Sequence, residues 1–147
     1  MPTVILVRHG RTDANATGVL AGRLPGVALD ATGRTQVDAV GERLAAVRLA
    51  DVVTSPLERC RQTARALTDR QSGQRPAVRD KGLVEVDYGD WTGAALTSLA
   101  KEPLWKVVQG QPAAATFPGG EALAAMSARA VATVRRWDAR IEAEHGP

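Results

Sequence analysis

The sequence predicts an α/β fold with a mainly parallel sheet. Two observations carry that expectation. Short apolar runs, "VILV" at 4–7 and "DVVTS" at 51–55, alternate with stretches of helical periodicity. Each run also empties directly into a polar turn, "RHG" after the first and "SP" after the second. Ligands of parallel sheets collect beyond the carboxyl ends of the strands, so both turns are candidate site segments.

Taken in order, Val4-Ile5-Leu6-Val7 is a continuous run with β-branched residues, expected as a strand buried on both faces. Residues 12–26, rich in Gly, Ala, Asn and Pro, are expected as a loop with one short turn of helix. Asp30 is placed to cap a helix whose inner face is Val37, Val40, Leu44 and Val47. "DVVTS" is the second strand. Ser55 and Pro56 suit the cap and first turn of the next helix, with Leu57, Cys60, Ala64 and Leu67 facing inward. "AVRD" at 77–80 is expected as a third strand, and "LVEVDYGDWTG" as a segment that runs on into a turn. A short helix is expected over 104–108 and a long one over 121–144. In the latter, Leu123, Met126, Ala130, Val134, Trp137 and Ile141 recur at three- and four-residue steps.

With 147 residues, 44% of them hydrophobic, the chain suits one domain over 1–147 with one real core. Aromatics supply only 3%, so aliphatic side chains and alanines must fill that core. The formal charge of +3 suits anionic ligands, yet no lysine-arginine run or aromatic series points to nucleic acid. One cysteine cannot form an internal disulfide, and two histidines do not make a His/Cys metal site. Cys60 is read as a small buried hydrophobe, and a reducing cytoplasm as the compartment. No apolar run approaches the roughly 18–20 residues of a membrane span.

The residues that could carry chemistry are Arg8, His9 and Asn15 on the first loop, Arg59 at the start of the second helix, and Glu85. Were the strand ends to converge, an imidazole, two guanidiniums, an amide and a carboxylate would form a phosphate pocket with a nucleophile and a proton donor. The planar guanidinium fork matches phosphoryl oxygens and stays charged. A neutral imidazole nitrogen attacks phosphorus without shedding a proton. An alkoxide leaves poorly unless an acid protonates it.

These segments resemble the histidine phosphatase superfamily, the phosphoglycerate mutase-like proteins. "LVRHGRTDAN" is similar to that family's R-H-G-x-T-x-x-N signature, "TSPLERCRQTA" to its S-x-L-x-R-x-x-x-T-A element, and "LVEVDYGDWTG" to its L-x-E-x-x-x-G-x-W-x-G segment. "LDATGRTQ" and "FPGGE" match further stretches. The resemblance implies a three-layer α/β/α fold around the mainly parallel sheet. It implies His9 as the phosphorylated nucleophile, Glu85 as the proton donor, and Arg8, Asn15 and Arg59 as phosphate-binding residues. Gly22 falls in a loop that contacts substrate in relatives, although a turn glycine explains it equally. Arg61 is read as a helix-surface charge, Trp91 as packing under the site, and Trp105 and Lys106 as candidates for substrate definition. The implied reaction is phosphomonoester hydrolysis on a small phosphorylated metabolite, with no metal or other cofactor. A phosphomutase such as phosphoglycerate mutase is the alternative. A non-catalytic phosphate-binding remnant is the alternative of another class.

One departure stands out. The family uses a second histidine at the end of a later strand, and this sequence has no such strand. The "HG" of "EHGP" follows a helical stretch, so His145 is expected as a helix C-terminal residue beside the dipole. The chain is therefore expected to lack a C-terminal part of the fold, to be weak or inactive as it stands, and to expose a sheet edge at which copies could associate.

Overall fold

The structure is a computed structural model that describes residues 3–73 and 75–146. Helices dominate it. In chain order come α1 (Asp13–Thr17), α2 (Ala31–Leu44), β1 (Val53–Thr54), α3 (Glu58–Thr68), β2 (Val78–Arg79), α4 (Leu96–Leu99), α5 (Pro103–Gly110) and α6 (Leu123–His145). Single 3₁₀ turns lie at Lys81–Leu83, Gly89–Trp91 and Pro112–Ala114. The two strands pair in parallel, Val53 opposite Val78 and Thr54 opposite Arg79, with α3 as the crossover. This is the α/β arrangement expected, with a smaller sheet.

The first apolar run departs from expectation. Residues 3–10 hold no regular secondary structure, and Val4, Ile5 and Leu6 are exposed, Leu6 by 83%. A parallel strand buried on both faces needs a ladder and cover on each side. Among the described residues this run has no ladder partner. Its apolar content therefore marks a strand-capable segment, not a strand.

Local signals elsewhere translate well. Asp30 caps α2 by accepting a hydrogen bond from the Gly33 amide at 2.7 Å. Thr12 caps α1 in a capping box with Asn15. The helix after β1 begins later than expected: its cap position is Leu57, without a side-chain bond, and Ser55 Oγ receives the Leu57 amide only at 3.5 Å. The inner face of α3 is also more polar than expected. Arg59 and Thr63 are buried beside Ala64 and Leu67, whereas Cys60 is half-buried. Along α6 every residue of the expected stripe is half-buried.

The apolar core centres on Val86, Trp91, Leu99 and Phe117. Leu104, Trp105 and Val108 of α5 and Leu123 and Met126 of α6 pack against it. Trp91 meets Phe117 edge-on at 5.3 Å and stacks with Trp105 at 6.2 Å. Few aromatics thus do concentrated work: they form the floor of the segment that carries Glu85. The His9 loop is seated differently. A Cβ at Gly10 would run into the Gly33 carbonyl and Val37, and one at Gly33 would run into the Arg11 main chain. The loop lies backbone-to-backbone on the first turn of α2.

Candidate active site

His9 is half-buried, and its Nδ1 lies 2.7 Å from the Gly10 carbonyl. A carbonyl only accepts, so Nδ1 carries the proton and a neutral ring presents its lone pair at Nε2. The Gly10 amide donates to Thr63 Oγ1 at 3.2 Å, and that hydroxyl donates to the Arg59 carbonyl at 2.9 Å. One threonine on the second turn of α3 thereby ties the His9 loop to the arginine that sequence placed beside it.

Arg59 is the most telling side chain. It is 4% exposed, and its Nη2 donates to the Gly22 carbonyl at 3.0 Å and lies 3.8 Å from Glu85 Oε2. Its Nη1 is buried and has no hydrogen-bond partner among the described residues. An unsatisfied buried donor costs about 1–3 kcal/mol, more when charged, so it calls for an explanation. An anion seated against Nη1 supplies one.

Glu85 is partly exposed, with Oε1 receiving the Val86 amide at 3.1 Å. Tyr88 lies beside it. Burial, aided by the Glu85 carboxylate, pushes the Tyr88 phenol up to about 12, so it remains a protonated donor at neutral pH. Burial likewise pushes the Cys60 thiol up, which makes it a poor nucleophile.

The structure thus brings Arg59, Glu85 and Gly22 into contact and links His9 to them through Thr63. Gly22 has a clear local task. Its φ of 52° favours glycine, a Cβ there would press on Tyr88 and Thr92, and its carbonyl holds Arg59. Arg8 is exposed, and its side chain bonds to no described residue. Asn15 is exposed, and its carbonyl oxygen is engaged by the Thr12 amide and hydroxyl. Arg61 is exposed, as expected of a helix-surface charge. Trp91 is buried directly beneath this segment; Trp105 stacks on it, and Lys106 is exposed. His145 ends α6 and lies on no strand.

Sequence reasoning passed over Thr63, Tyr88, Arg23, Glu121 and Arg129. Arg23 Nε donates to the Glu85 carbonyl at 2.8 Å, and Arg129 holds the Glu121 carboxylate at 2.8 and 2.9 Å. The glutamate of "FPGGE" was visible as a matched stretch. Its partner eight residues on was not, because only the return of α6 against the 82–85 segment brings them to a common target.

A family model for the histidine phosphatase superfamily (branch 1) matches residues 4–145. The chain belongs to that superfamily. Among characterised histidine phosphatases and their relatives, it is 37% identical over 127 residues to the fructose-2,6-bisphosphatase TIGAR of Xenopus tropicalis. That match covers 85% of this chain and 46% of the relative. It is 36% identical over 138 residues to the 2,3-bisphosphoglycerate-dependent phosphoglycerate mutase of Brucella anthropi, covering 86% of this chain and 64% of that one. In solved structures, a mycobacterial glucosyl-3-phosphoglycerate phosphatase in complex with VO3 superposes with a TM-score of 0.80 at 30% identity, covering 89% of this chain and 64% of that one. The alpha-ribazole phosphatase of Shigella flexneri gives 0.78 at 29%, with 91% and 66% covered. The chain spans about half to two-thirds of the length of these relatives. No described helix is long and apolar enough to cross a membrane.

Proposed function

We propose that this site hydrolyses phosphomonoesters of small metabolites through a phosphohistidine at His9. The observation that carries the reading is the buried, unpartnered Nη1 of Arg59, a cationic donor in want of an oxyanion. The phosphatase names among the relatives support the same reaction class.

In this reading Arg59 receives the phosphoryl oxygens, with Arg8 and Asn15 closing on them from the exposed loop. Nε2 of His9 attacks phosphorus as the bond to the ester oxygen breaks. The leaving oxygen takes the proton of the Glu85 carboxyl. The Nδ1 bond to Gly10 keeps the nucleophilic nitrogen aimed and stabilises the ring as it gains charge. Water then attacks the phosphohistidine, Glu85 takes its proton, and inorganic phosphate departs. Arg59 holds the transferring group through both steps, so its contribution is greatest where charge peaks.

Trapping tests the reading. Incubation with a labelled phosphomonoester and a quench in base, where a phosphohistidine survives, should leave label on the peptide containing His9, and His9→Asn should abolish it. Phosphate release without label on His9 would sink the proposal.

A further inference from the structure

Arg129 uses every N–H of its guanidinium. Nε and Nη2 grip the two oxygens of Glu121 at 2.8 and 2.9 Å. Nη1 donates to the carbonyls of Gly82 at 2.9 Å and Val84 at 2.8 Å, and Nη2 also reaches the Glu85 carbonyl at 3.3 Å. Three of these five bonds land on the main chain of a four-residue segment that ends at Glu85 and belongs to no sheet. Glu121 completes the grip from the other side, where its Oε2 receives the Asp87 amide at 3.3 Å. The main chain is therefore held both before and after the carboxyl-bearing residue.

A second set of bonds refers this segment to the phosphate-facing arginine. The Glu85 carbonyl also accepts from Arg23 Nε, and Arg23 Nη2 reaches Glu121 at 3.3 Å. Arg23 follows Gly22, whose carbonyl holds Arg59. The Glu85 main chain and the Arg59 guanidinium are thus both fixed to the dipeptide Gly22-Arg23. The Glu85 carboxyl itself is held by the Val86 amide at 3.1 Å and faces Arg59 at 3.8 Å.

We propose that the Glu121–Arg129 pair is a positioning device for the proton donor, setting the distance between Glu85 and the group held by Arg59. The proposal rests on the hydrolase reading above. Proton transfer requires hydrogen-bond reach, and a misplacement of about 1 Å is enough to cost on the order of a hundredfold. A lysine cannot replace the device, because one ammonium does not reproduce a fork that meets a carboxylate and three carbonyls together.

Leaving-group dependence separates this role from a general loss of structure. The esters are 4-nitrophenyl phosphate, whose leaving group departs without a proton, and glycerol phosphate, whose alkoxide needs one. Arg129→Lys and Arg129→Met should lower kcat on glycerol phosphate by about a hundredfold. On 4-nitrophenyl phosphate the loss should be less than about fivefold with KM little changed, since Arg59 and His9 stay in place. Amide exchange in the same variants should quicken at Leu83 and Asp87 and stay unchanged across α3. Equal losses on both esters, or exchange that rises everywhere or nowhere, would overturn the proposal. Should the unaltered chain turn over neither ester, that result bears on the activity of this chain and not on the pair. The exchange pattern then decides the pair's role alone: local loosening supports it, and its absence refutes it.

Discussion

Residues 4–10 and residues 83–91 invite comparison, because each is an apolar-rich segment that delivers a candidate catalytic side chain, His9 in one and Glu85 in the other. Neither belongs to a sheet, yet they are held in opposite ways. The second is gripped by side chains: Val86 and Trp91 sink into the aromatic core while Arg23, Glu121 and Arg129 bind its carbonyls and amides. Among the described residues the first is gripped at its end, where Gly10 rests on Gly33 and donates to Thr63, while Val4, Ile5 and Leu6 face outward. The contrast teaches that hydrophobic sequence becomes stability only where a partner surface exists to receive it.

Removing the floor of the better-held segment should have the largest effect. Trp91→Ala should destabilise the chain by about 3–5 kcal/mol, read from urea unfolding, because it empties the centre of the aromatic cluster. A loss below about 1 kcal/mol would show that the two segments are anchored alike.

Acidification comes next. The Arg129 fork holds the Glu121 carboxyl below its ordinary 4.5, and the Trp137 indole N–H with the Gly82 amide holds Asp80 below its ordinary 3.8. Both folded-state values are depressed. Each group therefore contributes stability fully present above its unfolded value and lost as pH falls through the folded one. Urea midpoints should be flat near neutrality and decline from about pH 4.5 downward. Glu121→Gln combined with Asp80→Asn should be less stable at neutral pH and show a shallower acid decline. An unchanged decline would mean that the tethers around Glu85 are not where acid acts.

The smallest effect is expected in the first segment. Leu6→Asp should change stability by no more than about 0.5 kcal/mol, as befits a side chain exposed by 83%. A large loss would place that residue in a buried contact and erase the contrast.

How far the sequence could be read follows the same division. Short-range chemistry was legible: the Asp30 cap and the extended runs "DVVTS" and "AVRD" of a parallel sheet rest on local patterns, whereas Arg59 meets Glu85 because the ends of those runs converge. The α3 interior was misjudged because Arg59 and Thr63 are polar residues buried for their bonds, which hydrophobic periodicity does not register. The state of residues 4–7 was misjudged because a strand is a relation between segments, and β-branched content states only one side of it. Glu121 and Arg129 escaped notice as positioning groups because their targets are backbone carbonyls, which have no sequence signature.

The contact of Gly10 with Gly33 bears on how this protein could be altered. Every single-residue library built across the chain should find two intolerant positions, since any β-carbon at either must pry the His9 loop from α2. Directed evolution of this chain would have to search around that pair. Variation is better spent on the exposed Lys106, which lies outside this contact and outside the residues that would hold the phosphoryl group.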